Sequence, residues 1–183
     1  VLRAYGENLL QFKSAYLYII NIGSGDPSTY SIVAAHRYYG CEDENHVVET
    51  PIGIVWANKS SVYLFDGDPD NIVDLFKYSP KDELGDTQKG VTGEDRTTRK
   101  ISISEWESFF SANLLVGFDP GSRVVIFKKS SLSGNYDTGD CYVYNIDNDT
   151  WTFAKRKWGS QIISTNFVTD LNNSAINIVQ TAM

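Results

Sequence analysis

The amino-acid sequence predicts an all-β protein, and three observations lead to this fold class. Aromatic residues make up 13% of the chain, with 11 Tyr, 9 Phe and 4 Trp against a single Met, and aromatic residues are enriched in strands. Apolar stretches are short, alternate with polar residues and end in clusters of Gly, Asp, Asn and Pro. Pairs of these stretches recur over tens of residues, which indicates a repeated antiparallel unit.

Length, composition and charge exclude several classes of protein. The 183 residues suffice for one domain with its own core. A chain that is 42% hydrophobic and 21% charged is typical of neither a disordered nor a membrane protein. The 23 acidic and 16 basic residues leave a net charge of -7. Because phosphate binding needs a basic face, this balance disfavours a protein that coats nucleic acid.

The first predicted strands lie in residues 9–39. Residues 9–22 predict two strands joined by a tight turn near Lys13-Ser14. Residues 30–39 predict a third strand. It follows a turn at residues 23–27 (GSGDP), because Gly, Asp and Pro supply the φ values that tight turns need.

Four predicted hairpins follow along the chain. In the hairpin of residues 113–118 and 123–128, the DPG turn at residues 119–121 places Pro at the first central turn position and Gly at a position where φ can be positive. Polar turns separate the other pairs, with Asn172-Asn173 in the last one. The paired segments are 52–57 with 61–66, 113–118 with 123–128, 141–146 with 150–154, and 161–168 with 175–180.

One short helix is predicted near residue 104. Ser104 and Glu107 match a capping box, in which each side chain satisfies an open backbone amide of the other residue. Trp106, Phe109 and Phe110 stand at spacings of three and four, and therefore share one face. We expect about two turns of helix.

A polar segment of mixed charge interrupts the pattern at residues 77–100. A loop this long without its own structure is functional or mobile in a compact domain. Two interpretations stand, a mobile surface insertion and an arm that becomes ordered against a neighbouring subunit. We expect residues 1–183 to form a single β-rich domain, or a fragment of a larger protein, with an insertion at 77–100.

The recurrence of hairpins favours antiparallel, propeller-type blades. The clearest internal similarity is between residues 62–66 and residues 142–145, each of which is an apolar strand that ends in a polar turn. Propeller blades of four antiparallel strands recur at about 40–50 residues, so the chain holds about four blades' worth of sequence at most and suits a partial propeller. A β-sandwich is the alternative, because regularly spaced short strands suit both folds.

Two acidic motifs predict turns rather than sites. The DTG triplet at residues 137–139 is that of aspartic proteases, but those enzymes need two carboxylates that share a proton, and the sequence has no second copy. The run DGDPD at residues 66–70 begins like an EF-hand calcium loop. Asn71 and Lys77, however, stand where that loop needs Gly and Glu.

Histidine and cysteine form no recognisable site. His36 and His46 bracket Cys41 at a spacing that fits no standard zinc pattern. Two cysteines, Cys41 and Cys141, make no disulfide framework, and we expect both as reduced, partly buried thiols. No nucleophile, base and orienting group come together along the sequence. We therefore expect a protein that is not an enzyme and has no cofactor or metal.

One basic cluster remains, at residues 155–158. Together with residues 128–129 it would form a local basic edge, which would contact DNA if the chain lined a DNA channel. The alternative is edge protection, because lysines discourage association between sheets. The candidates for contact with DNA or with a subunit interface are Lys128, Lys129, Lys155, Arg156, Lys157 and Trp158.

Several of the predicted strand segments carry a resemblance to a known family. They are TPIGIVWANK (50–59) with VYLFDG (62–67), GFDP (117–120) with VVI (124–126), and YVYN (142–145) with TWTF (150–153). Together they resemble the β-propeller-bearing tail proteins of tailed bacteriophages. The group includes packaged-DNA stabilisation proteins and tail nozzle or tail tubular proteins of short-tailed phages, with their counterparts in crAss-like phages. LLQFK at residues 9–13 also fits. The likeness covers about residues 9–75 and 101–180.

The resemblance implies a virion structural protein of the phage tail, assembled in the host cytoplasm. It implies a closed homo-oligomeric ring, such as a hexamer, in contact with other tail or portal-adaptor proteins and with no membrane. Such a nozzle retains and conducts packaged DNA without sequence specificity. The net charge of -7 is compatible with this role. Because attraction to phosphate comes from basic groups, an acidic conduit surface would let DNA slide rather than bind.

Two other classes of function stay open. One is a carbohydrate- or receptor-binding β-module, for which exposed aromatic rings would be the platform. The other is a propeller-fold glycoside hydrolase, which needs paired carboxylates in a cleft. The candidate platform residues are Tyr38, Tyr39, Tyr136 and Trp158.

Overall fold

The computed structural model describes residues 1–76, 101, 103–111, 113–129, 139–154, 163–169 and 176–181. This part of the chain is mostly β: three four-stranded antiparallel sheets, a two-stranded hairpin and one short α-helix. The chain divides into two compact units, Val1–Leu75 and Phe76–Met183. The expectation of a single domain stays a prediction. Within the described residues, no helix has both the length and the apolar character needed to span a membrane.

Sheet 1 begins the first unit. Its strands are β1 (Leu2–Tyr5), β2 (Asn8–Phe12), β3 (Tyr16–Asn21) and β4 (Ser31–Arg37), and they neighbour one another in chain order. A single 3₁₀ turn at Pro27–Thr29 leads into β4. Asp26 caps this turn, because its carboxylate accepts the backbone N–H of Ser28 at 2.9 Å.

Sheet 2 completes the first unit with β5 (Val47–Thr50), β6 (Gly53–Ala57), β7 (Val62–Phe65) and β8 (Val73–Asp74), again in chain order. Gly53 has φ +138°, and a Cβ at this position would lie 2.0 Å from the carbonyl oxygen of Phe65. Only glycine allows this close approach of two strands.

The core of the first unit lies between sheets 1 and 2. The inward-facing residues of β2 and β3 share one cluster with those of β6 and β7. The Phe12 and Trp56 rings meet edge to face with centroids 5.2 Å apart, and Trp56 is fully buried. Sheet 1 therefore stacks on sheet 2, and period-2 alternation along each strand supplies the apolar face.

The second unit is built on sheet 3. Its strands β9 (Leu114–Asp119), β10 (Val124–Lys129), β11 (Cys141–Asn145) and β12 (Thr150–Ala154) also follow chain order. The helix α1 (Ile103–Phe109) precedes them, and the hairpin of β13 (Ile163–Thr169) and β14 (Ile176–Thr181) follows.

Both faces of sheet 3 are covered. On one face the fully buried Trp106 of α1 contacts Phe127 and Tyr142, with ring centroids 5.9 and 6.0 Å away. On the other face Phe167 of β13 packs against the cluster around Ile126. Gly117 leaves room for this ring, because a Cβ there would lie 2.5 Å from the Phe167 Cγ.

The strands predicted from the sequence are confirmed as β2–β4, β6, β7 and β9–β14. The strands β1, β5 and β8 were not predicted. The predicted capping box is wrong in register, because α1 begins at Ile103 and Ser104 lies inside its first turn. The predicted insertion at 77–100 and the turn at Asn172-Asn173 lie outside the described residues.

Candidate interaction surfaces

The predicted basic edge is described only in part, at the end of β10. Lys128 is 0% exposed and Lys129 is half-buried. Pairing aligns Lys128 with Cys141, and Cys141 with Ala154, the residue before the cluster at 155–158. Ala154, the last described residue of β12, therefore lies at the same end of sheet 3 as Lys128, about 10 Å away across two strand spacings. Residues 155–158 lie outside the described part of the chain, so the predicted edge stays a prediction.

Lys128 lies on the hairpin-covered face of sheet 3. Alternation along β10 puts Lys128 on the same face as Ile126, which packs against the hairpin cluster. Of the described pair, only Lys129 presents side-chain surface to solvent.

The turns at the opposite end of sheet 3 are held by carboxylates. Arg123 Nε donates to both carboxylate oxygens of Asp147, at 2.7 and 3.0 Å. The Tyr144 hydroxyl donates to Asp149 Oδ1 at 2.7 Å. Burial, together with this carboxylate, raises the pKa of Tyr144 above its ordinary value. Because these acidic groups bind residues of neighbouring turns, they stabilise the β11–β12 connection.

The acidic run at residues 66–70 forms successive turns, as predicted. Asp66 Oδ1 accepts the backbone N–H of Asp68 at 3.2 Å, and Asp68 Oδ1 accepts that of Asp70 at 3.0 Å. These are the local side-chain to backbone bonds for which Asp is favoured in turns. Across the described ranges, no three His, Cys, Asp or Glu residues converge to hold a metal ion.

The two histidines and Cys41 have separate environments. His36 Nε2 lies 2.8 Å from the carbonyl oxygen of Pro69, and its ring meets that of Tyr39. The Cys41 thiol donates to the carbonyl oxygen of Asp43 at 3.2 Å. Burial raises the pKa of Cys41 to about 11, so its thiol stays protonated and unreactive at neutral pH. Both Cys41 and Cys141 are buried thiols outside any disulfide, in agreement with the prediction.

A polar network lies where the link between sheets 1 and 2 meets the β6–β7 hairpin. Asn58 Nδ2 donates to the carbonyl oxygens of Tyr38 and Gly40, at 3.0 and 3.1 Å. Trp56 Nε1 donates to that of Tyr39 at 3.0 Å. Three consecutive residues of the link are thus attached to the hairpin. The sequence pattern did not predict this network, although an Asn at a hairpin turn is the residue type suited to it.

The same network includes Ser61, Tyr63 and Asp74. The Ser61 hydroxyl donates to Asp74 Oδ1 at 2.5 Å, with the two residues 3% and 9% exposed. Burial and the negative charge of Asp74 raise the pKa of Tyr63, which is 6% exposed. Because all three side chains are enclosed, the hydroxyl–carboxylate pair is placed to hold β8 against β7 rather than to reach a substrate.

The aromatic residues predicted as a ligand platform differ in their exposure to solvent. Tyr38 has φ +75° and is 65% exposed, with the Arg37 guanidinium 4.8 Å from its ring centroid. Tyr39 turns inward and packs 4.7 Å from the Tyr63 ring. Tyr136 and Trp158 lie outside the described residues. Of the four, the described part of the chain presents only Tyr38 as an open ring.

Sheet 1 presents a second, larger apolar surface. Pairing across β1–β4 aligns the outward residues in three rows, and none of them is buried. We call this set the outer face of sheet 1. Its rows are Ala4–Leu9–Ile20–Ile32, Leu2–Gln11–Tyr18–Ala35 and Tyr16–Arg37.

No family model and no curated protein matches this chain.

Proposed function

We propose that this protein is a virion structural component of a tailed bacteriophage, part of the tail or neck nozzle that retains and conducts packaged DNA. The observation that carries the proposal is the repetition of one unit. Each of the three large sheets has four antiparallel strands that neighbour one another in chain order. A propeller blade is built in this way.

The order of the strands is what favours blades over a sandwich. Sandwiches of the immunoglobulin type connect their two sheets by Greek-key crossings, whereas here the chain completes one sheet before it begins the next. We therefore interpret sheets 1, 2 and 3 as blades of a partial propeller. Segments of the kind that suggested the phage proteins, at residues 53–57, 62–65 and 141–145, lie on strands of sheets 2 and 3.

The role we propose needs assembly rather than catalysis. The carboxylates of Asp66 and Asp68 accept backbone amides of their own turns, and those of Asp147 and Asp149 bind the Arg123 guanidinium and the Tyr144 hydroxyl. A net charge of -7 weakens the attraction of a conduit for phosphate, so DNA would slide rather than bind. The partners we propose are further copies in a closed ring and the neighbouring tail or portal-adaptor proteins.

The first experiment tests ring formation. We expect native mass spectrometry of the purified chain to give one closed oligomer, and electron microscopy to show a ring with an opening that admits duplex DNA. A strictly monomeric protein that is absent from phage particles would contradict the proposal. A glycan array run in parallel tests the carbohydrate-binding alternative, which predicts a saturable ligand instead of a ring.

The second experiment tests the basic edge. We expect non-specific duplex DNA to bind with a Kd of about 10⁻⁴ M or weaker near physiological salt. Lys155→Glu should weaken this binding further, whereas Lys59→Glu, an equal change of charge at an exposed lysine of the first unit, should leave it unchanged. Equal effects of the two changes would show that only net charge matters and would remove Lys155 as a DNA contact.

A further inference from the structure

Sheet 1 and the residues beside it carry most of the exposed large hydrophobic side chains of the described residues. Eight large hydrophobic side chains of the described residues are exposed, and six of them belong to or directly flank sheet 1. Ile32, at 63%, and Leu2, at 53%, lie on the outer face itself. Contiguous apolar surface of this kind marks interaction sites on soluble proteins. The six are Leu2, Tyr16, Tyr30, Ile32, Val33 and Tyr38.

The composition of the face selects an apolar partner. Of its ten residues only Arg37 is charged and only Gln11 is otherwise polar. The Tyr16 and Tyr18 rings stack at 5.9 Å with an interplanar angle of 16°, which forms a flat aromatic ridge. Aliphatic side chains such as Ile20 and Ile32 lie beside this ridge. A ridge next to an aliphatic strip is self-complementary under a two-fold rotation, which places each ridge on the other copy's strip.

Charge also favours contact between copies at this sheet. Residues 1–39 contain three basic and two acidic residues, a net charge of +1, so the remaining residues of the -7 chain carry -8. Two copies of an acidic protein repel each other over most of their surface. A contact through sheet 1 joins them at a region without this acidic excess.

The geometry of β4 favours docking on the face over pairing at the edge. The register between β3 and β4 shifts between Ile19 and Ile20, so that Val33 is an extra residue in the edge strand. A bulge of this kind bends an edge strand and opposes further strand pairing. The charged side chain of Arg37, exposed at the end of β4, also opposes the pairing of a further strand at this edge.

We propose that the outer face of sheet 1 is an isologous docking surface for a second copy of this chain. Four strands at about 4.8 Å and six residues at about 3.3 Å give a face of about 400 Å² in projection. A standard stable complex buries about 800 Å² per partner. The contact therefore belongs to the weak class, with a dimer Kd on the order of 10–100 µM.

Sedimentation velocity of the full chain between about 1 and 300 µM tests the proposal. We expect a monomer–dimer equilibrium. Ile32→Lys should raise the dimer Kd at least tenfold, because the substitution buries an unpaired charge in the contact. Ile103→Lys is the matched control, since Ile103 is 61% exposed in the second unit, and it should change the Kd less than twofold. Circular dichroism verifies that each variant is folded, and Tyr16→Lys replaces Ile32→Lys if that variant fails to fold.

Three results would overturn the proposal. One is a monomer at every concentration, and another is a dimer that Ile32→Lys and Tyr16→Lys leave intact. The third is hydrogen exchange in which dimerisation protects the free-edge amides of β4, because that result indicates edge pairing. The proposal is separable from the nozzle function. A dimer without a ring contradicts only the nozzle. A ring that forms while Ile32→Lys and Tyr16→Lys leave every association between copies unchanged contradicts only the docking surface.

Discussion

Trp56 offers the sharpest test of how the first unit is stabilised. Its side chain is fully buried, its ring lies 5.2 Å from that of Phe12, and its Nε1 donates to the Tyr39 carbonyl oxygen at 3.0 Å. Trp56→Phe removes about three methylene-sized groups, at about 0.8 kcal/mol each. It also leaves the Tyr39 carbonyl without its donor, at a cost of about 1 kcal/mol or more. We expect the free energy of unfolding to fall by about 3–4 kcal/mol.

Urea denaturation followed by far-ultraviolet circular dichroism measures this loss. Because the chain has two compact units, the unfolding curve is fitted for two transitions, and Trp56→Phe should shift only one of them. Tyr38→Phe is the control, since Tyr38 is 65% exposed and surface changes stay within about 0.5 kcal/mol. A loss below 1 kcal/mol for Trp56→Phe, or a loss equal to that of the control, would refute the reasoning.

Three further predictions concern other parts of the molecule. Gly117→Ala should destabilise the protein by about 1–3 kcal/mol in thermal denaturation through overpacking against Phe167; adding Phe167→Leu should restore part of the loss, and a neutral Gly117→Ala would place the ring elsewhere. Cys41, with a pKa raised to about 11, should resist iodoacetamide at pH 8 in the folded protein and react once urea unfolds it; alkylation of the native thiol, read by mass spectrometry, would contradict its burial. The raised pKa values of Tyr63 and Tyr144 mean that their stabilisation is complete below the unfolded tyrosine pKa of about 10 and is lost as pH rises above it; urea midpoints from pH 8 to 11 should fall in the wild type and fall less in Tyr144→Phe, and parallel curves would count against this linkage.

Much of the fold could be predicted because the strands follow simple patterns. Segments such as GIVWA at 53–57 are rich in β-branched and aromatic residues and end in polar turns. The missed strands lack these signals. β1 (LRAY) contains an arginine and has exposed and half-buried positions only, and β8 has two residues, so their strand geometry comes from pairing with neighbours. At α1, Ser104 and Glu107 fit the capping spacing, but the helix begins at Ile103.

The candidate residues were harder to predict, because exposure depends on which elements cover a sheet. Lys128 is a sequence candidate for contact with DNA or with a subunit interface, and such a contact needs an exposed side chain. Alternation along β10 puts it on the same face as Ile126, and whether that face is open depends on where β13 and β14 pack. The polar network around Asn58 could not be predicted either, since its acceptors, the carbonyl groups of residues 38 and 40, lie about twenty residues away along the chain.

The two sheets of the first unit show why the outer face of sheet 1 needs a partner. β6 and β7 are apolar on both faces, and every residue of both strands is buried. β3 (YLYIIN) has the same two-sided apolar character, which is typical of strands covered on both faces. Its inward residues Leu17 and Ile19 are fully buried, whereas Tyr16 on the opposite face is 37% exposed. A strand of this composition stabilises the protein fully only when its second face is also removed from water, and docking of another copy on sheet 1 would supply that burial.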